Sequence, residues 1–420
     1  MKVTRRSFLK LGMAAGASAV FSGFPNVLRG AEPKEILFGS IEPASGPVAD
    51  IGIGNRRAQQ LAVEEINEAG GIKSLGGAKV KLLLTDSEFK PAVARSQAEK
   101  LIREGVVGLI GPFSSADAMA IATLAEQRRI PFVIDVAAAD VITQKGYKYT
   151  FRVFPRGSVF GVKACHYVMQ ILNEKGLSPK RAVVLNQGDL FGKAQSGSFL
   201  NAHKALKDEL KIPFEIVDHV VYPMGAQDLS AEIARVKSAK PDILFPVARP
   251  GDARLTIREL YKQRVELLGI ISPGSPGWYE PEFIEDMGKL ADYVLDNVPW
   301  YDPKSPIYQR VGKKYSSLYP GKYIDTNNGY AYTAVRVLAD AIERAASTET
   351  EALVAALRDT NLMETPMIGA PVAFDENGDN INATSAMVQV LAGKVLVVLP
   401  KESSEADYVF PVPQLWERGV

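Results

Sequence analysis

Short apolar runs alternate with amphipathic stretches along the first part of the chain. Runs rich in β-branched and aromatic residues predict strands at 36–41, 80–84, 106–110 and 131–134. Between them, apolar residues recur every three or four positions, as in Arg57–Ala69, which is typical of a helix packed on a sheet. Strands that alternate with helices in this way indicate parallel βαβ units and argue against a β-sandwich.

The same alternation begins again after about residue 180. Two short strands close the chain, joined by Ala392-Gly393 as a hairpin turn. The predicted fold class is therefore α/β, with two doubly wound parallel-sheet lobes of similar size. The predicted strands of this part are 181–185, 214–220, 242–247, 267–271, 293–298, 386–391 and 394–399.

The chain is expected to pass between the two lobes near residues 153, 298 and 382. None of these positions has the Gly/Ser- or Pro-rich composition of a flexible linker. We therefore expect three crossovers that act as hinges. Residues 32–153 with 299–381 are predicted to form the first lobe, and 154–298 with 382–420 the second.

Residues 1–31 have the features of an export signal. The run Arg5-Arg6-Ser7-Phe8-Leu9-Lys10 matches the twin-arginine pattern, and a Gly/Ala-rich apolar stretch follows over 11–24. That stretch is shorter than the ~20 apolar residues that a membrane-spanning helix needs. We expect export to the periplasm by the twin-arginine machinery; the alternative is a basic helix on a cytosolic protein. A cut after Ala31 puts Arg29 at the −3 position, a poor fit, so an uncleaved anchor stays open.

The charge distribution argues against a nucleic-acid partner. The chain has a net charge of +1, but residues 1–31 hold five basic residues and no acidic one. Without that segment, 44 basic residues face 48 acidic ones, a net charge of −4. A mildly acidic body lacks the basic surface that DNA or RNA binding requires.

The sequence shows few features that are typical of an enzyme. His166, His203 and His219 show no metal-ligand spacing, and neither a Gly-x-Ser-x-Gly elbow nor a Gly-x-x-x-x-Gly-Lys-Ser/Thr loop is present. The one cysteine, Cys165, cannot form an internal disulfide and lies far from the N-terminus, which excludes a lipid-anchored cysteine. We expect no metal, no cofactor and no catalytic residue.

Ligands of open parallel sheets bind beyond the carboxyl ends of the strands, and this rule selects five loops. In the first lobe, Ser114 and Ser115 stand where a helix begins, and a helix N-terminus attracts a carboxylate. The alternative is that a serine only caps its helix. The loop Asp135–Asp140 consists largely of small residues and would let a ligand approach the backbone.

The second lobe contributes the loops 186–191, 248–251 and 272–277. Among their residues Arg249 has the clearest chemistry, because a guanidinium can hold a carboxylate through two parallel hydrogen bonds. The alternatives are a solvated surface arginine or one paired with Asp252.

Several runs resemble the leucine/isoleucine/valine-binding proteins over nearly all of residues 34–400. The resemblance implies a type I periplasmic binding fold with three crossovers, which closes over its ligand like a trap. It also implies a monomer that delivers a small molecule to the membrane permease of an ABC importer. The runs that carry it include Ser45–Gly52, Leu61–Ile72, Leu109–Ser115, Lys240–Asp242 and Ala373–Asp379.

The resemblance also implies a set of ligand contacts. The family's carboxylate-binding serine matches Ser115, and its acidic partner for an ammonium group falls at Gly274. No carboxylate stands in 272–277, and a buried ammonium without one costs several kcal/mol. The other matched positions are Ile51, the loop Val136, Ala137 and Ala138 (with Ala138 in place of a threonine), Phe191 in place of a tyrosine, and Arg249.

A periplasmic receptor for a small carboxylate-bearing ligand is therefore predicted. The ligand is an amino acid or, as the missing acid favours, an amine-free organic or aromatic acid; Asp135, Asp189 or Asp252 are the alternative sources of an acid. We expect the first lobe to hold the anionic end and the second to close with Phe191 and Arg249. A ligand sensor of the same fold and an exported enzyme are the alternative functions.

Overall fold

The computed structural model describes residues 35–419, so the predicted export signal, with Arg5 and Arg6, lies outside the described residues. Within this range, no helix has the length and hydropathy needed to cross a membrane. The strands are β1 (Glu35–Glu42), β2 (Lys79–Asp86), β3 (Gly108–Ile110), β4 (Phe132–Ile134), β5 (Thr150–Arg152), β6 (Arg181–Gln187), β7 (Glu215–Tyr222), β8 (Ile243–Val247), β9 (Gly269–Ser272), β10 (Leu295–Val298), β11 (Ala386–Leu391) and β12 (Lys394–Leu399). The helices are α1 (Ala49–Glu68), α2 (Pro91–Arg103), α3 (Ser115–Arg128), α4 (Gly157–Lys175), α5 (Leu190–Leu206), α6 (Ser230–Ser238), α7 (Pro250–Gln263), α8 (Pro281–Met287), α9 (Pro306–Leu318), α10 (Thr326–Ala345) and α11 (Thr350–Arg358).

The strands form two sheets. The first has the order β2-β1-β3-β4-β5 and is parallel throughout. The second has the order β12-β11-β10-β9-β8-β6-β7, in which β11 and β12 run antiparallel to their neighbours. Helices follow the strands in both sheets, which confirms the predicted α/β class with two doubly wound parallel-sheet lobes. The closing hairpin is confirmed as well, with positive φ at both Ala392 and Gly393.

Two local predictions from the sequence were wrong. Strand β5 was not predicted, because three residues are too few to show a periodicity. Helix α1 begins at Ala49, eight residues before the predicted start. In the sequence, the glycines of its first turns are typical of a loop. In the structure, they let other segments approach the helix closely. A Cβ on Gly52 would overlap the carbonyl of Pro43, and a Cβ on Gly54 would lie 2.7 Å from Oδ1 of Asn328.

The chain passes between the sheets three times: after β5, after β10 and before β11. Helix α10, between the second and third passages, packs on α1 and on strands of the first sheet. The first and third passages run side by side, since the N–H of Arg152 donates to the carbonyl of Gly378 (2.8 Å) and the N–H of Asn380 to the carbonyl of Arg152 (3.0 Å). The residue limits of the two lobes stay a prediction.

Helices α3, α5 and α10 each have a side chain as their N-terminal cap. Asp189 accepts from the N–H of Gly192 at the start of α5 (2.8 Å), and Asp325 accepts from that of Asn328 at the start of α10 (3.0 Å). Ser114 accepts from the N–H of Asp117 at the start of α3 (3.3 Å). These caps satisfy backbone donors that would otherwise be left unpaired at the first turn.

The contact between α4 and α5 depends on one glycine. A Cβ on Gly161 in α4 would overlap the backbone of Ser198 in α5, whereas a Cβ on Gly197 in α5 would have no heavy atom within 4 Å beyond its own helix. Gly161→Ala is therefore expected to lower the free energy of unfolding by about 1–3 kcal/mol through overpacking. Gly197→Ala is the matched control and is expected to raise it by up to about 1 kcal/mol, because alanine favours a helix over glycine. Urea unfolding of both variants would measure this, and equal shifts of the same sign would contradict the assigned packing.

Candidate ligand-binding site

A small cavity of about 30 Å³ lies where the strand ends of the two sheets face each other. All five loops selected by the strand-end rule contribute to its wall. Five aromatic rings and one guanidinium dominate the lining. The lining residues are Phe113, Val136, Ala138, Phe154, Phe160, Phe191, Arg249, Gly274, Ser275, Pro276, Tyr279, Val298, Pro299 and Asn327.

The structure brings five of the nine predicted site residues together in this wall: Val136, Ala138, Phe191, Arg249 and Gly274. The other four, Ser114, Ser115, Ala137 and Ile51, do not line it. Ser114 caps α3, which is the alternative role that the sequence offered for the two serines. Oγ of Ser115 accepts from the N–H of Ala139 (3.4 Å). A direct contact between Ser115 and a ligand stays a prediction.

Arg249 is a buried residue, only 7% exposed. Its Nη2 lies 2.8 Å from Oδ2 of Asp189, and its Nη1 donates to Oε1 of Gln187. The guanidinium carbon lies 5.1 Å from the ring centre of Phe89 and 5.2 Å from that of Phe191, within the range of cation–π attraction. Within residues 35–419, Nε of Arg249 finds no hydrogen-bond partner.

Both structural alternatives for Arg249 were therefore wrong. The side chain is not solvated, and its ion-pair partner is Asp189 and not Asp252. The carboxylate of Asp252 instead accepts a hydrogen bond from the backbone N–H of Arg249 (3.3 Å). Burial raises the pKa of Asp252. The remaining buried donor, Nε, would have to be satisfied by a ligand or by water.

Gly274 leaves no room for the acid that the family carries at this position. Its φ is 126°, and a Cβ would lie 2.7 Å from the carbonyl oxygen of Asn297. Of the three acids that the sequence offered as replacements, Asp189 is paired with Arg249 and Asp252 with a backbone donor. The third, Asp135, is bound within the first lobe.

The carbonyl groups of residues 137–139, in the loop after β4, accept hydrogen bonds from other parts of the first lobe and the first passage. Nη1 of Arg152 donates to the carbonyls of Ala137 (3.3 Å) and Ala139 (2.9 Å), and the N–H of Gly157 donates to that of Ala138 (2.8 Å). Among the described residues, the hydrogen bonds of this loop include no acceptor for the N–H groups of Ala137 and Ala138. Two backbone donors thus remain for another partner.

Two fully buried carboxyl groups lie behind the cavity wall. Nε2 of Gln59 donates to Oε1 of Glu42 (3.1 Å) and to Oδ2 of Asp135 (3.1 Å), and the N–H of Phe113 donates to Oε2 of Glu42 (3.3 Å). Burial first, and then the charge of Asp135, hold the pKa of Glu42 well above its usual range. Burial therefore favours the protonated form of Glu42 up to a higher pH than for an exposed carboxyl group. Sequence reasoning missed Glu42, although a glutamate ending a buried strand was a usable signal.

A larger cavity of about 460 Å³ adjoins the first, since the consecutive residues Asn327 and Asn328 line one cavity each. Ile51 lies in its wall. So does Glu280, whose Oε1 accepts from Nδ2 of Asn327 (3.0 Å) and whose pKa is held well above its usual range by burial and then by Asp325.

Sequence reasoning missed most of the aromatic wall as well as Glu280. Phe113, inside the selected loop after β3, could have been named from that rule alone. Phe154 and Phe160 follow β5, which was not predicted, while Tyr279 and Asn327 lie outside the loops that the rule selects.

Comparison with known proteins gives one family and several relatives. Residues 35–394 match the family model described as periplasmic binding protein. The Leu/Ile/Val-binding protein BraC3 of Rhizobium johnstonii is 29% identical over 364 residues, covering 86% of this chain and 93% of the relative. A leucine-binding protein LivK from Thermotoga maritima has a TM-score of 0.73 at 26% identity, covering 86% of this chain and 97% of its own. A solute-binding protein of an ABC transporter from R. palustris, solved in complex with benzoate, has a TM-score of 0.73 at 19% identity, covering 90% and 97%.

The raised pKa of Glu42 predicts a pH dependence of stability. Below the ordinary pKa of about 4.5, Glu42 is protonated in both the folded and the unfolded chain, and its contribution is fully present. As the pH rises toward the elevated folded pKa, only the folded chain keeps the proton, so stability falls. Glu42→Gln is expected to flatten this decline when urea midpoints are compared from pH 4.5 to pH 8.

The control is Glu35→Gln, which removes an exposed carboxyl from the same strand and is expected to give a curve parallel to the wild type. A constant offset between Glu42→Gln and the wild type over the whole range would contradict the raised pKa of Glu42.

Proposed function

The chain belongs to the periplasmic binding protein family, and on that premise we propose that it is the solute-binding receptor of an ABC importer. It captures a small carboxylate-bearing ligand between its two lobes by hinge closure, and the closed form is recognised by the membrane permease. The observation that carries the proposal is the buried guanidinium of Arg249, with a donor to spare, in the aromatic wall of the cavity between the sheets.

Two donors are available for the anionic end of the ligand. One is Nε of Arg249, and the other is the N–H of Ala138, which lines the cavity on the opposite lobe. A carboxylate that bridges them would draw the lobes together, because each lobe satisfies buried donors through the same ligand. Charged hydrogen bonds of this kind are worth about 1.5–3 kcal/mol each.

The rest of the cavity favours an aromatic acid without an amine. Phe113, Phe154, Phe160, Phe191 and Tyr279 offer ring faces and edges to a planar ligand. The described residues that line the cavity include no carboxylate for an ammonium group, and an unpaired buried ammonium is costly. Asp296 lies behind Ser275, whose N–H it accepts (3.3 Å), and burial holds its pKa well above its usual range. The benzoate complex of the R. palustris protein makes benzoate the natural first probe.

An amino-acid ligand is the second candidate, favoured by one specific observation. Glu280 borders the adjoining cavity, is 8% exposed, and forms no ion pair among the described residues. An ammonium group that reaches it would find the acid that position 274 lacks. The relatives BraC3 and LivK are named as a Leu/Ile/Val-binding and a leucine-binding protein, which also favours this candidate.

We further propose that the chain reaches the periplasm through the twin-arginine machinery, directed by the run that begins with Arg5-Arg6. It acts as a monomer and is not an enzyme. The relatives named above are binding proteins, so we prefer a transport receptor to a ligand sensor or an exported enzyme.

A ligand screen tests the proposal. Thermal unfolding is followed with benzoate, phenylacetate, phenylalanine, leucine and benzamide, since a ligand at 100 times its Kd stabilises the folded state by about 2.7 kcal/mol. We expect the two aromatic acids to raise Tm most, benzamide to raise it less because it carries no charge, and the two amino acids to leave it unchanged. A shift with leucine or phenylalanine alone would support the second candidate, and a shift with none of these acids would contradict the proposal.

Substitution of Arg249 tests the assigned contact. Arg249→Ala is expected to weaken binding of the aromatic acid by about 10- to 100-fold, since each 1.4 kcal/mol lost is a factor of ten. Arg235→Ala is the control: it also breaks an arginine–aspartate pair of the second lobe, with Asp218 at 2.6 Å, but lies outside the cavity wall. Calorimetric titration measures both, and an unchanged affinity for Arg249→Ala would show that its assigned role is wrong.

A further inference from the structure

Arg152 is the last residue of β5 and has no solvent exposure. Besides the carbonyls of Ala137 and Ala139, its guanidinium contacts two side chains. Nε and Nη2 both donate to Oδ1 of Asp379 (2.8 and 2.7 Å), and Nη2 also donates to Oγ1 of Thr143 (2.6 Å). All three guanidinium nitrogens therefore donate hydrogen bonds, and all of their partners are at least nine residues away in the sequence.

Asp379 stands on the third passage between the sheets. It forms a parallel bridge with Arg152, and its carboxylate also accepts from Thr143 (2.9 Å) and from Nη1 of Arg156 on the first passage (3.4 Å). Asn380 adds a bond from Nδ2 to the carbonyl of Val153 (3.0 Å). One arginine thus connects the loop at the cavity with two of the three passages.

The direction of these bonds determines what the loop presents to the cavity. A trans peptide group points its C=O and its N–H in opposite directions. Because the carbonyl of Ala137 points to Arg152, the N–H of Ala138 points away from Arg152. Ala138 lines the cavity, whereas Arg152 lies behind the loop.

We propose that Arg152 is a positioning residue: it turns the peptide groups of residues 137–139 so that Ala138 presents its N–H to the ligand's carboxylate, and it couples this loop to the first and third passages through Asp379. The inference rests on the proposed function for the ligand, while the coupling is a property of the unliganded chain. A ligand that tightens the loop thereby acts on the hinge without touching it.

Hydrogen exchange of the unliganded protein tests the coupling. In Arg152→Lys, which keeps the charge but loses the planar fork, peptides covering 136–142 and 376–382 are expected to exchange at least tenfold faster together. Asp379→Asn is the second variant, should Arg152→Lys not fold, and is expected to affect the same two segments to a smaller extent. Unchanged exchange at 136–142, or an equal increase over the whole chain, would overturn the proposal.

Glu65→Gln is the matched control. Glu65 is a buried carboxylate that accepts from Arg310 (2.9 Å) and Tyr332 (2.6 Å) in the same lobe, away from the loop. Its substitution is expected to lower stability and to speed exchange around α1 and α10, but not at 136–142. Faster exchange at 136–142 in this variant as well would assign the effect to general destabilisation and overturn the proposal.

Titration with benzoate and benzamide tests the role in ligand binding. If Arg152 directs an N–H at the carboxylate, Arg152→Lys is expected to lose at least tenfold in affinity for benzoate and less than threefold for benzamide, because the charge-assisted bond is the stronger one. Glu65→Gln is expected to stay within twofold of the wild type for both. An equal loss for benzoate and benzamide would overturn the positioning role. Wild-type protein that binds no acid would contradict the proposed function instead, and hydrogen exchange would still decide the coupling.

Discussion

The buried ion pair between Arg152 and Asp379 is the constraint that holds the loop after β4 against two of the three passages between the sheets. A buried guanidinium is tolerated only when its hydrogen-bonding groups are satisfied, and here the partners come from the loop after β4 and from the third passage. Satisfying one charge therefore fixes the relative positions of segments that are 227 residues apart in sequence. The loop that faces the ligand and the connections that must bend are built around the same side chain.

A second buried arginine sets the chemistry of the cavity. Arg249 is neutralised by Asp189 and held between two rings, so its charge can be kept out of water at tolerable cost. Phe89 belongs to the first lobe and Phe191 to the second, so the same guanidinium contacts both sides of the cleft. Behind the wall, burial and the neighbouring Asp135 hold the pKa of Glu42 well above its usual range, which disfavours a double negative charge there.

The sequence allowed most of the scaffold to be predicted. Strands such as β1 and β8 were found because their side chains are buried on both faces, which gives continuous apolar runs. All five loops that the strand-end rule then selected contribute to the cavity wall. The elements that the sequence did not predict correctly are short or rich in glycine. Strand β5 has three residues, and the first turns of α1 contain Gly52 and Gly54, which contact segments distant in sequence.

By itself, the sequence determined the α/β alternation, the loops of the site and the presence of a guanidinium among them, because these follow from periodicity and from the order of elements. It did not determine the partner of any buried charge. Arg249 pairs with Asp189 and not with its neighbour Asp252, and position 274 excludes an acid because the backbone of Asn297 lies against it. Only the tertiary structure decided these points, because the cost of burying a charge is offset by whichever groups the fold brings within hydrogen-bonding distance, whatever their separation along the chain.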